Sequence, residues 1–305
     1  YSRQIVSFKS ENSIQLRIES RGMSGGSNTT MIFLPYLSAA RICGPDAGSF
    51  LQTQLSADIA ALEDGASTFA TYCSVGGKVL ALLLIHRINN EYLAIASSEL
   101  LPSVLERLKI YVLRAKVEIA LDPQMEISGL LPSESSSCVI SPGFGTLRYT
   151  GDSASRESGE QAGQWKNQEL LQGVCWLNSE TSEKFIPQML GYDQIGAVSF
   201  SKGCYPGQEI IARTRYLGKV KRTPLIVTVE GPASIDNGAR IEINFGSDTT
   251  AGTVIDSSPA ENQNTLLFTV TRTRDGEQPD SVSFNNKSYP VMPQERALLA
   301  NTSEP

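Results

Sequence analysis

The sequence predicts an α+β protein of more than one domain, with antiparallel sheets backed by helices and a compact all-β barrel or sandwich at its C-terminal end. Three observations predict it. Strand-sized apolar runs and amphipathic helical stretches follow one another as far as about residue 220. From Pro224 onward, short alternating strands are separated by Gly, Pro, Asn and Asp turns. The chain has 305 residues, enough for two or three domains and at least one sizeable core.

In chain order, Ile14-Gln15-Leu16-Arg17-Ile18 alternates as an extended start, and the Gly/Ser-rich stretch 22–30 reads as a loop. Arg41-Ile42-Cys43-Gly44 looks like a strand end. Pro45-Asp46 then opens an amphipathic helix with Ala47, Phe50, Leu51 and Leu55 on one face. Residues 68–75 and 79–85 form a hairpin-like pair across Gly76-Gly77, and 92–96 is a further strand. Ser97 is expected to N-cap a helix carrying Leu100, Leu101, Val104, Leu105 and Leu108, with Pro102 tolerated in its first turn. A strand over 112–121 follows, completing a small antiparallel sheet. The stretches 132–137 and 151–163 read as surface loops. Strands are expected at 225–229, 241–244, 252–255, 266–271 and 281–284, with a domain boundary near 219–224.

Composition excludes several classes. Hydrophobic residues make up 40% and charged residues 19%, the balance of a folded globular chain. No apolar run approaches the roughly 20 residues of a membrane helix, and the first twenty residues show no signal peptide. Tyr1 is not a natural start, so a segment upstream of it is left open. The net charge of −6 argues against whole-surface attraction to nucleic acid or membrane. Residues 202–222 run against that trend, with Lys202, Arg213, Arg215, Lys219, Lys221 and Arg222 facing the single acid Glu209. Cys43, Cys73, Cys138, Cys175 and Cys204 lie far apart, which speaks against a zinc module or a disulfide framework and for a reducing cytoplasm. His86 is the one histidine and ends an apolar strand, a structural place for it.

The most informative segment is Ser201-Lys202-Gly203-Cys204-Tyr205-Pro206-Gly207-Gln208-Glu209, a glycine-bracketed turn leading into a helix with an acid in its first turn. A cysteine before a helix N-terminus and beside a lysine sits in positive potential, which favours its thiolate. The alternative is a small residue filling a tight turn.

Residues 202–209 complete the run Lys-Gly-Cys-Tyr-x-Gly-Gln-Glu, the signature of the YgfZ family, and the chain resembles that family over most of its length. Phe185-Ile186-Pro187-Gln188 matches the family's second string. Gly44-Pro45-Asp46-Ala47 with Phe50-Leu51-Gln52 resembles its first helix, and Glu169-Leu170-Leu171-Gln172-Gly173 its acid-x-x-x-Gly run. The resemblance implies a fold like that of the glycine-cleavage T-protein, arranged around a central cavity that holds folate. Residues 1–218 would form the folate-binding region as two intertwined lobes, the second roughly 46–121, and 219–305 the C-terminal barrel.

The implied function is that of a folate-binding accessory protein supporting assembly or repair of iron–sulfur clusters, including those of tRNA-modifying enzymes. Its implied cofactor is tetrahydrofolate or a derivative, without a permanently bound metal. Its partners would be iron–sulfur enzymes or assembly proteins in the cytoplasm, with no membrane. Cys204 is then the functional cysteine, in a loop made and held by Lys202, Gly203, Tyr205, Gly207, Gln208 and Glu209. Glu169 is the candidate partner of the pterin edge, although many relatives carry the glutamate at the place of Leu171; a surface helix position is the alternative. Trp176 stacks on the pterin or packs in the core. Arg213 and Arg215 pair with the folate tail or with surface acids.

The T-protein carries an Asp-Asp pair after a Gly-Gly. Here Gly76-Gly77-Lys78-Val79-Leu80-Ala81-Leu82 places Ala81 and Leu82 at the acid positions, and neither side chain moves a proton. The rival reading, a tetrahydrofolate-dependent aminomethyl transferase, needs a carboxylate from elsewhere, such as Asp193. A third reading, RNA binding through 202–222, lacks aromatic interleaving.

Overall fold

The computed structural model describes residues 32–130, 146–150, 160–218, 220–274 and 277–293. The expected extended start at 14–18 and the loops at 22–30 and 132–137 lie outside them, as does Cys138.

The first large sheet has five antiparallel strands in the order β3-β4-β5-β2-β6. They are β2 (Leu37–Cys43), β3 (Ser67–Cys73), β4 (Val79–Ile88), β5 (Glu91–Ser97) and β6 (Glu118–Leu121). The run 79–85 is apolar without alternation because β4 is buried on both faces. Helix α1 (Ala47–Gln54) buries Ala47, Phe50 and Leu51, and α2 (Leu101–Ile110) buries Leu101, Val104, Leu105 and Leu108 against the sheet. Asn89 and Asn90, at φ 48° and 66°, make the tight turn from β4 to β5. His86 lies in β4 with Nδ1 2.9 Å from Ser67 Oγ, and burial lowers its pKa.

Three expectations are corrected here. Ser97 is the last residue of β5 rather than an N-cap. Its carbonyl accepts the Leu100 amide, and α2 starts without a side-chain cap. Only Glu118–Leu121 of the stretch 112–121 is strand, because Val112 and Ala115 close a turn through Leu113 at φ 47°. Of the loop expected over 151–163, residues 151–159 lie outside the described residues and 160–163 belong to helix α3 (Glu160–Leu171).

A small sheet pairs β1 (Ile32–Phe33), β7 (Glu126–Leu130) and β8 (Thr146–Thr150) in the order β1-β7-β8. Trp165 of α3 lies against Gly129 of β7. A Cβ there would lie 2.5 Å from the ring of Trp165, so glycine lets the indole lie on the strand.

After α4 (Gln208–Tyr216) the chain forms a six-stranded antiparallel sheet, ordered β14-β13-β10-β11-β12-β9. Its strands are β9 (Arg222–Val229), β10 (Arg240–Phe245), β11 (Asp248–Pro259), β12 (Thr265–Arg272), β13 (Ser281–Phe284) and β14 (Lys287–Pro290). Period-two alternation divides its side chains between two cores. Val227, Val229, Ile243, Val254, Leu267 and Val282 pack together, while Ile226, Leu266, Phe268 and Val270 join the larger core that holds the first sheet. The two ends of the sheet meet at one bridge, Val229 to Val291, flanked by hydrogen bonds from Glu230 to Pro290 and from Met292 to Thr228. That contact falls short of a closing ladder, so the expected barrel is observed as an antiparallel sheet with its ends in touch. Among the described residues, no helix is long and apolar enough to cross a membrane.

Candidate functional site

The cysteine loop is built from alternating anchors. Lys202 turns inward and is buried, and its Nζ donates to the carbonyl oxygens of Gln52 (2.5 Å), Leu55 (2.7 Å) and Ala57 (2.8 Å). These carbonyls belong to the end of α1 and the turn after it, where backbone acceptors lack helical partners. One ammonium therefore uses its three donors to cap a helix C-terminus nearly 150 residues away in sequence. Burial pulls the lysine pKa down to about 8, against the opposing pull of Asp58. Tyr205 is buried too, its ring centroid 5.3 Å from the ammonium. Gln208 Nε2 donates to the Lys202 carbonyl at 3.3 Å. Gly203 and Cys204, between the two inward side chains, are exposed.

The loop enters α4 through Gly207, at φ 82°. A Cβ on Gly207 would lie 2.6 Å from Gly77 Cα and from the Ser74 carbonyl oxygen, and one on Gly77 would lie 3.0 Å from Ile210 Cβ. The turn between β3 and β4 is thus the seat of α4, and two glycines make the approach possible. The Phe-Ile-Pro-Gln string ties the same parts together. Val79 of β4 donates its amide to Phe185, and Gln188 Nε2 donates to the Ile211 carbonyl at 2.7 Å.

Two expected roles change. The Lys202 ammonium is spent on carbonyls and is not held for the thiol. Glu209 does not brace the loop: its carboxylate lies at the surface and accepts from Arg213, one turn on, at 2.7 Å. Arg215 lies 5.3 Å over the ring of Phe200, which meets Tyr216 edge-on at 6.3 Å.

Glu169 lies elsewhere, on α3, and is buried with its carboxylate engaged inside the protein. Its Oε1 accepts from Trp165 Nε1 and Trp176 Nε1, each at 3.0 Å, and its Oε2 accepts from the Tyr36 hydroxyl at 2.8 Å. Burial pushes this carboxyl up from 4.5 to about 7, although the three hydrogen bonds and Lys166 pull it down. Lys166 Nζ pairs with Asp256 at 2.8 Å, beside a bulge in β11, and sits 5.3 Å over the Tyr36 ring. Trp176 packs against Phe69 with ring centroids 6.1 Å apart. Trp176 is therefore a core residue and Glu169 is not a surface one. Neither offers a pterin an unengaged polar edge, and Arg213 and Arg215 stand on a different helix.

Ala81 and Leu82, the residues expected at the acid positions, are buried in β4. Asp193 follows the short 3-10 helix Pro187–Leu190. Burial raises its pKa while Arg215 lowers it. The described cysteines are free thiols. Cys73 and Cys175 are buried, and burial raises Cys73 to about 12.

No family model matches the chain. An uncharacterized protein of Haemophilus influenzae is 30% identical over 225 residues, covering 70% of this chain and 79% of its own length. The tRNA-modifying protein YgfZ of Klebsiella pneumoniae is 29% identical over 290 residues, covering 83% of this chain and 88% of its own. That of Pectobacterium carotovorum is 27% identical over 271 residues, covering 76% and 80%. The chain belongs to the YgfZ family. The fold is similar to that of a glycine-cleavage T-protein. The crystal structure of glycine cleavage system aminomethyltransferase T from Bartonella henselae matches with a TM-score of 0.63 at 12% identity, covering 86% of this chain and 83% of that one.

The sequence reading passed over Tyr36, Trp165, Lys166 and Asp256, the remaining members of the cluster around Glu169. Trp165 precedes Glu169 by one helical turn and was within reach of an i, i+4 reading. Nothing in the sequence marks Tyr36 or Asp256.

Proposed function

We propose that this chain is an accessory protein supporting iron–sulfur enzymes, among them tRNA-modifying ones, with Cys204 as its working group and a folate as its ligand. The single observation that carries the reading is the loop geometry. Lys202 and Tyr205 are both buried, and the only residues between them, Gly203 and Cys204, are exposed. Three hydrogen bonds from one ammonium are a large commitment for a loop without a purpose. The resulting thiol is held in place yet open to a partner. The relatives named tRNA-modifying proteins support the link to tRNA modification.

One thiolate does not hold a four-iron cluster, which takes four cysteine ligands. Cys204 therefore acts on a cluster or sulfur species carried by its partner. Folate comes to the proposal from the family's kinship with the T-protein. Glu169 and Trp176 as arranged do not fit a pterin, and no step is assigned to the ligand. Residues 1–218 are taken as the ligand-binding region and 219–305 as a domain of their own.

The test has two arms. Cells lacking this protein are complemented with wild type or Cys204→Ser, and the product of an iron–sulfur tRNA-modifying enzyme is quantified. Product at the empty-vector level with the variant supports the thiol, and product at the wild-type level overturns it. Calorimetric titration of both proteins with tetrahydrofolate decides the ligand, and no heat from wild type removes folate from the proposal.

A further inference from the structure

The described residues expose eight large hydrophobic side chains, and four of them belong to α4, its C-cap and the turn on which it sits: Val75 (81% exposed), Ile210 (37%), Tyr216 (68%) and Leu217 (85%). Ile210 and Leu217 are seven residues apart, hence on one face of the helix, with Arg213 and Thr214 between them. Ile211 is turned inward and fully buried. The contact between Gly77 and Ile210 carries the β3–β4 turn, with Val75, up to the same face. An aliphatic stripe thus runs from Val75 along α4, next to the loop that presents Cys204.

Its flank is cationic. Arg213, Arg215, Lys221 and Arg222 are exposed, and the one acid of the segment, Glu209, is taken by Arg213 in a surface pair that holds little free energy. Phe200 is covered by Arg215 and met edge-on by Tyr216, so aromatic and arginine groups of the kind that dominate interface energies stand pre-ordered.

We infer that this face of α4, with the tip of the β3–β4 turn, is the docking surface for a partner protein whose contact face is apolar and acidic. The inference rests on the Cys204 reading only in so far as the partner is taken to be the enzyme served. A protein fits better than RNA, because Val75, Ile210 and Leu217 have no π-face on which a base stacks. A second copy of this chain fits badly, since a two-fold contact would set the arginines against themselves. The acidic balance of the whole chain, net −6, makes the local positive charge a selective feature for an acidic partner.

The test places the photo-crosslinker p-benzoylphenylalanine at position 217 of the full chain in its own cells, and at exposed position 242 as control. The cross-linked product is identified by mass spectrometry. The identified protein is then purified and titrated against wild type, Leu217→Asp and Arg215→Glu. The expected result is one protein captured at 217 and not at 242, its binding weakened at least tenfold by each variant. Capture of RNA, capture of a second copy, no product above the control, or a partner indifferent to both variants overturns the inference. A parallel run in Cys204→Ser separates the two proposals. The surface needs no thiol, so capture persists there even if the complementation shows Cys204 to be idle.

Discussion

Replacing Glu169 with Gln removes a buried charge and keeps the shape. The folded protein raises this carboxyl from 4.5 to about 7. It therefore holds the proton more tightly than the unfolded chain does. Between those two values the native state binds more protons, and stability falls as pH rises through the window. At about 1.36 kcal/mol per pH unit, the gap corresponds to a penalty of about 3 kcal/mol, absent below 4.5 and complete above about 7. The amide of Gln carries no charge at any pH. Its oxygen accepts from Trp165 and Trp176, and its nitrogen donates to Tyr36. The assay is urea unfolding of wild type and Glu169→Gln at pH 5 and pH 8. It is followed by tryptophan fluorescence, because the two tryptophans of the chain are the two indoles bonded to this carboxylate. Comparing the two proteins cancels the titration of every other group. The variant should exceed wild type by about 2.5 kcal/mol more at pH 8 than at pH 5, since pH 5 already lies above 4.5. Parallel behaviour at the two pH values would refute the reasoning.

Four further outcomes follow from the loop. Lys202→Met strands three carbonyls behind the loop and should cost about 3 kcal/mol or more in denaturant unfolding, with faster modification of buried Cys73 by a thiol reagent. Gly207→Ala meets Gly77 and Ser74 and a φ of 82°, so a loss of about 2 kcal/mol or more is expected in thermal unfolding. Gly203→Ala, in open space, should stay within about 0.5 kcal/mol of wild type. Cys204→Ser should likewise unfold within about 0.5 kcal/mol of wild type, so that any loss in the complementation assay reads on chemistry and not on folding.

Strands were legible as short apolar stretches bounded by turn residues. The stretches 225–229, 241–244 and 266–271 each lie in a strand of the C-terminal sheet. Phe50 and Leu51 marked α1, and the Gly76-Gly77 pair marked the hairpin. β14 was missed because Lys-Ser-Tyr-Pro is short and polar. Its signal lay in Asn285-Asn286, at φ 49° and 61°, a two-residue turn of the kind that joins hairpins. The first turns of α3 were hidden by a loop-like composition. Trp165 on Gly129 and Lys166 on Asp256 hold that helix, and both contacts are tertiary.

The sequence by itself determined that this is a folded α+β chain with a cysteine bracketed by a family signature, because those properties reside in periodicity and in contiguous residues. Only the tertiary structure decided where the charges go. A lysine in sequence reads as a solvated cation, yet Lys202 enters the interior because three carbonyls at the end of α1 converge there. A glutamate on a polar helix reads as exposed, yet Glu169 is buried because two indoles and a phenol supply its hydrogen bonds. Burial of a charge depends on partners gathered from distant parts of the chain, and local sequence does not carry that information.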